Sequence, residues 1–236
     1  MSLTLPGGIA LITGSVSGIG QAVTIAYAKA GVEGILACDI NFDGLDATIE
    51  ECKKVASHPN FRVLPLKVDV RIDRDVINMV ETAVKEFGRL DYAANVAGIV
   101  VTPVATVDQT IEDWDNIHAI NVRGVFLCMR EEIKAMLKNE LRPLIPDRGG
   151  GMTKAAAVSH SGDGIRINTV NPGYTLTPQA RAFVADFTPY ENGTLLKRMG
   201  SPEEMADATL FLSSPLSSYM TGSSVYSDGG AMILLK

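Results

Sequence analysis

Thr13-Gly14-Ser15-Val16-Ser17-Gly18-Ile19-Gly20 stands between an apolar run, Ile9 to Thr13, and a stretch of helical period over residues 18–30. Glycines in those places have specific uses. Gly14 lets the chain turn sharply out of a strand. Gly18 and Gly20 remove side chains where backbone must approach a pyrophosphate and where a helix must pack on a strand. The start of the helix offers unbonded N–H groups and the positive end of its dipole to an anion. The cradle is therefore Gly14, Ser15, Ser17, Gly18, Ile19 and Gly20. Three glycines alone are a weak signal; the flanking strand and helix make them a candidate dinucleotide loop. A second apolar run ends at Asp39-Ile40, about twenty residues further on, where a carboxylate can accept hydrogen bonds from ribose hydroxyls and would repel a 2′-phosphate. The loop supplies no cation to offset that repulsion. The expected cofactor is NAD in preference to NADP. The bland alternative is that Asp39 only begins a turn.

Other chemistries find little support. Cys38, Cys52 and Cys128 are too few and too scattered for a disulfide framework or a zinc site, so no metal is expected. Free thiols and a reducing, cytoplasmic location are the default. The formal net charge of -6 argues against nucleic acid and anionic membrane as partners. Met1 to Gly8 does not read as a signal peptide, and no apolar run approaches the ~20 residues of a membrane helix.

These candidates need elements to hold them. Beyond Ile9 to Thr13, apolar runs at Gly34 to Asp39, Phe61 to Val68, Leu90 to Asn95, Ile165 to Val170 and Ser223 to Tyr226 read as strands. Helical periods lie between them, over 18–30, 43–56, 73–87 and roughly 112–139, and a last helix opens at Ser201. Gly31 and Gly88 are placed to end two of them. Val76, Met79, Val80, Ala83, Val84 and Phe87 fall on one helical face. Ser201-Pro202-Glu203-Glu204 carries an N-cap, a proline at the first helical position and a capping box. Alternation of this kind gives an α/β fold, a Rossmann-type doubly wound parallel sheet, as a single domain over 1–236.

The order of the motifs resembles the short-chain dehydrogenase/reductase family along nearly the whole chain. The T-G-x-x-x-G-x-G spacing of Thr13 to Gly20 is that family's. Asp69-Val70 after the third strand resembles its adenine-contacting pair. Asn95-Val96-Ala97-Gly98 resembles its N-N-A-G element, with Val96 in place of the second Asn. Asn121, in Asn121-Val122-Arg123-Gly124, matches the Asn of its catalytic tetrad. Asn171-Pro172-Gly173-Tyr174-Thr175-Leu176-Thr177-Pro178 resembles the segment that contacts the nicotinamide carboxamide, which implies Pro172, Gly173, Thr175 and Thr177 as cofactor residues. Asn95, Ala97 and Gly98 would line the same site, and Ser227-Asp228-Gly229-Gly230 resembles the C-terminal D-G-G. The resemblance implies an NAD-dependent oxidoreductase that interconverts an alcohol and a ketone, as a homodimer or homotetramer. Residues 176–200 would form a lid over the substrate. The apolar side chains Phe183, Val184, Phe187, Tyr190, Leu195, Leu196 and Met199 fit either an apolar or aromatic substrate or ordinary helix packing.

One part of the family's machinery is missing. The resemblance calls for a Ser that polarises the substrate oxygen, a Tyr that passes the proton and a Lys four residues later that lowers the Tyr pKa. The tyrosines are Tyr27, Tyr92, Tyr174, Tyr190, Tyr219 and Tyr226, and none has Lys four residues on. Gly151 to Val158 resembles the second half of the helix that normally begins with that Tyr. The family's fifth strand, its Ser and its Tyr-x-x-x-Lys would precede it. A natural loss would leave central strands with unpaired backbone groups, at about 1–3 kcal/mol each when buried. That favours a segment belonging to the protein but not written in this sequence. Two expectations follow: a separation well beyond the ~3.8 Å of bonded Cα atoms somewhere between Arg148 and Met152, and an open slot in the sheet. The alternative is a degenerate dinucleotide-binding protein without catalysis. A third possibility keeps the fold and changes the chemistry to isomerisation or dehydration.

Overall fold

The computed structural model spans residues 1–236 and describes 3–5, 7–101, 104–139 and 151–234. The expected break between Arg148 and Met152 falls at 140–150, outside the described residues, and is not decided by them.

Strand β1 (Ile9–Thr13) lies at the centre of a four-stranded parallel sheet of order β3-β2-β1-β4, with β2 (Gly34–Asp39), β3 (Arg62–Lys67) and β4 (Tyr92–Asn95). The pairing of Thr13 with Cys38 on one side and with Asn95 on the other brings three carboxyl ends to one edge. Helix α1 (Gly18–Ala30) ends at Gly31 with φ 101, α2 spans Leu45–Val55, and α3 (Asp73–Phe87) ends at Gly88 with φ 83. Both glycine stops lie where the sequence puts them, in the left-handed conformation that costs other residues.

The period of two along β1 sends alternate side chains to opposite faces. Ala10 and Ile12 join α1 and α2 in one core, with Tyr27, Leu45 and Ile49. Leu11 joins Val76, Met79, Val80 and Ala83 of α3 in the other. The molecule is thus a single α/β domain with helices on both faces of a parallel sheet.

Two expectations are corrected in detail. The helix read over 112–139 is three pieces: α4 (Ile111–His118), a π-helical stretch Ala119–Gly124, and α5 (Val125–Met136). The strand read over 165–170 lies at Thr169–Pro172, here β5. Arg166 lies just outside the strand. Its guanidinium donates to the carbonyls of Leu212, Ser214, Ser217 and Met220, and Ile167 N–H donates to the Thr221 hydroxyl. The Ile167 carbonyl accepts from Gly222 N–H, so the backbone already approaches its partner before the ladder begins at Thr169.

The slot expected in the sheet is not decided by the described residues, which include no ladder between β4 and β5. β5 pairs only with β6 (Ser224–Ser227), in a separate two-stranded parallel sheet. Helix α6 (Gly151–His160) precedes β5. The short helices α7 (Pro178–Phe183) and α8 (Thr188–Asn192) lie in the expected lid. Helix α9 (Pro202–Ser213) opens with the full capping box: Glu204 N–H donates to Ser201 Oγ, and Ser201 N–H to the Glu204 carboxylate. The chain closes with α10 (Ala231–Leu234). No helix among the described residues is long and apolar enough to cross a membrane.

Candidate functional site

The glycine loop leaves β1 at Gly14, whose φ of +76 is left-handed. A Cβ on Gly20 would lie 1.9 Å from the carbonyl oxygen of Gly14. No other residue fits there, and that contact brings the helix start down onto the strand end. Below the loop, Thr48 Oγ1 donates to the Ser15 carbonyl and accepts from Gln21 Nε2. The Ser15 hydroxyl donates to the Ile12 carbonyl and accepts from Thr24, and Ser15 N–H donates to the Cys38 carbonyl. Ser15 is fully buried and its donors are all engaged within the protein, so it shapes the loop. Ser17 differs. It occupies the N-cap position of α1, is exposed, and makes no side-chain cap bond. The first turn of α1 holds no acidic residue, and the first N–H groups of a helix have no partner within it. Gly18 and Ile19 open that turn. An anion fits this cradle.

Asp39 closes the loop from β2. Its Oδ2 accepts from Val16 N–H at 3.1 Å and its Oδ1 from Asn41 N–H at 3.0 Å. The carboxylate is held against the loop, half-buried, with Ile40 exposed beside it. Further along the rim, Asp69 is paired with Arg71 through both carboxylate oxygens. That guanidinium holds the carboxyl below its ordinary range. Val70 is buried and packs on Gly124, where a Cβ would meet its Cγ2 at 2.8 Å.

The floor of the site is residues 95–99. Val96 and Ala97 both donate N–H to Thr13 Oγ1, at 3.1 and 3.2 Å. Asn121 grips the far end: its Oδ1 accepts from Ile99 N–H at 2.9 Å and its Nδ2 donates to the Ile99 carbonyl at 2.8 Å. Gly98 lies directly under it. The π-turn places Asn121 for this two-bond clamp, and such turns recur at functional positions.

The C-terminal half reaches the same loop. Thr177 caps α7 by accepting from Ala180 N–H, and a Cβ on Gly18 would lie 3.2 Å from its Cγ2. Thr175 donates to the Gly173 carbonyl, and Gly173 packs on the backbone of Asp228. Pro172 ends β5. The structure thus brings together the glycine loop, Asp39, Asn95 to Gly98, Asn121 and Thr177. A cavity of about 410 Å³ between Tyr174, Leu195, Leu196, Met205 and Tyr226 is a different place. None of its walls comes from the glycine loop or from residues 95–98.

Sequence reasoning missed two groups. Thr13 supplies the oxygen that holds the floor, and its signal was its position directly before the loop. Glu132 on α5 is buried and accepts from Asn95 Nδ2 at 2.8 Å. In the sequence it looks like any other carboxylate of an amphipathic helix. Among the described residues no group of His, Cys, Asp and Glu could hold a metal ion.

Known proteins resemble this arrangement closely. A family model described as "short chain dehydrogenase" matches residues 8–141, and one described as "Enoyl-(Acyl carrier protein) reductase" matches 150–232. The chain is 34% identical over 263 aligned positions to the 3-oxoacyl-(acyl-carrier-protein) reductase FabG of Thermotoga maritima, covering 98% of this chain and 100% of that one. It is 32% identical to cyclohexanol dehydrogenase of Acinetobacter sp. strain SE19, covering 94% and 93%. The crystal structure of 3-ketoacyl-(acyl-carrier-protein) reductase from Brucella melitensis complexed with NADH superposes with a TM-score of 0.83 at 28% identity, covering 97% of this chain and 99% of that one. The alignment to the Thermotoga protein is longer than this chain's 236 residues. That relative therefore carries residues this chain lacks, and the two family matches leave 142–149 between them.

Proposed function

The chain belongs to the short-chain dehydrogenase/reductase family of oxidoreductases, and from that premise we propose that it holds NAD in preference to NADP for the interconversion of an alcohol and a ketone by hydride transfer. The observation that carries the cofactor preference is the Asp39 carboxylate, fixed by Val16 N–H at the mouth of the glycine loop. There it suits ribose hydroxyls and opposes a 2′-phosphate. Gly14, Ser17, Gly18, Ile19 and Gly20 would receive the pyrophosphate. Asn95, Ala97, Gly98, Pro172, Gly173, Thr175 and Thr177 would line the nicotinamide end, and Asp69, Val70 and Ile40 the adenine end. The bound nicotinamide supplies the hydride acceptor or donor; the protein's residues orient it and exclude water. The relative named for cyclohexanol supports a small apolar alcohol or ketone as substrate, and the lid 176–200 would cover it. Assembly as a homodimer or homotetramer in the cytoplasm belongs to the same proposal.

A second reading of this form of the chain starts from its residue census. No Tyr-x-x-x-Lys occurs in the 236 residues, and Asn121 is the one tetrad position filled. A chain with the cofactor frame and without the proton-transfer groups binds NAD and does not turn over. General acid–base groups contribute about 10²–10⁴-fold to rate, so the two readings separate sharply. The experiment is to assay cyclohexanol oxidation with NAD for this chain, and for a variant carrying the Thermotoga relative's extra segment between residues 141 and 150. Turnover by the unaltered chain would support the first reading alone. Turnover only after insertion supports an oxidoreductase frame that lacks its acid–base segment. NAD binding with turnover in neither form would leave only the binding role.

A further inference from the structure

Adjacent carboxylates on α5 have opposite fates. Glu131 accepts from Arg130 Nε and Lys134 Nζ. Glu132, one residue on and therefore turned by about 100° around the helix, points inward and is 3% exposed. Its Oε2 accepts from Asn95 Nδ2 at 2.8 Å. Its Oε1 has no partner, and neither has Asn95 Oδ1; both atoms are buried. No ion pair among the described residues involves Glu132. The two orphaned atoms are the remaining oxygen of each bonded partner, and both are acceptors as long as the carboxyl is ionised. One proton on Glu132 converts its Oε1 to a donor, and a bond from it to the Asn95 amide oxygen would satisfy both at once.

We infer that Glu132 is a neutral acid that closes a two-bond acid–amide pair with Asn95, and that it is a positioning residue for the floor of the nucleotide site. This rests on the NAD reading above. Asn95 ends β4 beside Thr13. The next two residues donate to Thr13 Oγ1, and a Cβ on Gly14 would lie 2.9 Å from Ala97 N. The pair therefore anchors one end of residues 95–99, as Asn121 anchors the other. Burial pushes the Glu132 carboxyl up to about 7, with the Asn95 bond opposing it. Among the described residues the titratable groups that face it are the thiols of Cys128 on its own helix and Cys38 on β2. Both are raised by burial and by Glu132 itself, and so stay neutral. Arg130, Glu131 and Lys134 are engaged with one another and with Asp73 at the surface.

The sign follows from linkage. A carboxyl with a raised pKa in the folded state binds more protons folded than unfolded. Stability is therefore highest near the unfolded carboxylate pKa, falls as pH rises toward 7, and levels off above it. Glu132→Gln presents the same two-bond face without titrating: its amide donates to Asn95 Oδ1 and its oxygen accepts from Asn95 Nδ2. Glu132→Ala has neither bond.

The test uses the full chain in these three forms. Thermal unfolding without nucleotide is followed from about pH 5 to about pH 8.5, and NADH fluorescence titration from about pH 6 upward. Wild type and Glu132→Gln should unfold together near pH 5, with wild type falling behind as pH rises to 7 and then staying level. Glu132→Ala should be lower throughout. NADH affinity of wild type should weaken about fivefold above pH 7, a modest coupling, while that of Glu132→Gln stays flat. A pH-independent gap between wild type and Glu132→Gln, or a Glu132→Gln protein as impaired as Glu132→Ala, would overturn the acid–amide pair. An intact thermal result with a flat wild-type NADH profile would overturn the positioning role alone. NADH bound by no form would overturn that role together with the NAD reading, while the thermal arm still decides the pair.

Discussion

Strand β1 is buried at all five residues, and β2 at five of its six, whereas β5 and β6 are half-buried or exposed along their whole length. These strands belong to one family fold, and the difference lies in their neighbours. β1 has a ladder on each side and helices on each face. Among the described residues β5 has a ladder on one side only, and so has β4, an edge of the large sheet. The half that carries the glycine loop has four strands paired in one sheet. The half that would carry substrate and proton transfer has no ladder to it among the described residues, and meets it through α9 packed on α1, where Ala206 and Leu210 join the core around β1, and at Thr177 against Gly18. Among the described residues the two sheets are therefore joined by helix and loop packing rather than by a ladder.

The largest effect that would sharpen this contrast is expected at Gly20. A Cβ there would collide with the Gly14 carbonyl at 1.9 Å, with no flexible side chain to give way. Gly20→Ala should abolish NADH binding and destabilise the protein by about 3 kcal/mol or more, in the range of severe overpacking; calorimetry and urea unfolding would read both. A Gly20→Ala protein that binds NADH normally would break the assignment of the loop. Next is Asp39→Ala, which removes the carboxylate and leaves the loop free of its bond to Val16. NAD affinity should fall about tenfold and discrimination against NADP should shrink, since a lost charge-assisted bond is worth about 1.5–3 kcal/mol. Smaller still is the contrast in backbone protection. Amides of β1 and β2 should exchange with solvent at the global unfolding limit and those of β5 and β6 faster, because local opening needs few buried contacts to break. Equal protection in the two sheets would contradict that contrast.

How much of this was legible in the sequence follows the same division. In the nucleotide half, β1, α1 with its Gly31 stop, and α3 with Gly88 stand where periodicity and terminal residues put them. There, local preference and tertiary packing ask for the same thing. The glycine loop and Asp39 were readable because each geometry admits few residue types. The helix over 112–139 was not readable as three pieces. Its break is set by Asn121 reaching the backbone of Ile99, a contact between residues far apart in sequence. β5 was read four residues early because the apolar run from Ile165 does not mark where the ladder with β6 starts, at Thr169. Glu132 was invisible for a related reason. Its neighbour Glu131 has the same chemistry and faces water, and only the packing of α5 on β4 tells them apart. The missing Tyr-x-x-x-Lys was legible in the sequence as an absence.

The account's central claim is that this chain keeps a working NAD site. Its most direct test is a calorimetric titration of the unaltered 236-residue protein with NADH, and then with NADPH, at the same pH and salt. The account predicts saturable binding of one NADH per chain, with affinity at least tenfold above that for NADPH, as a fixed carboxylate at the ribose requires. Equal affinities, or no binding of either nucleotide by folded protein, would contradict it.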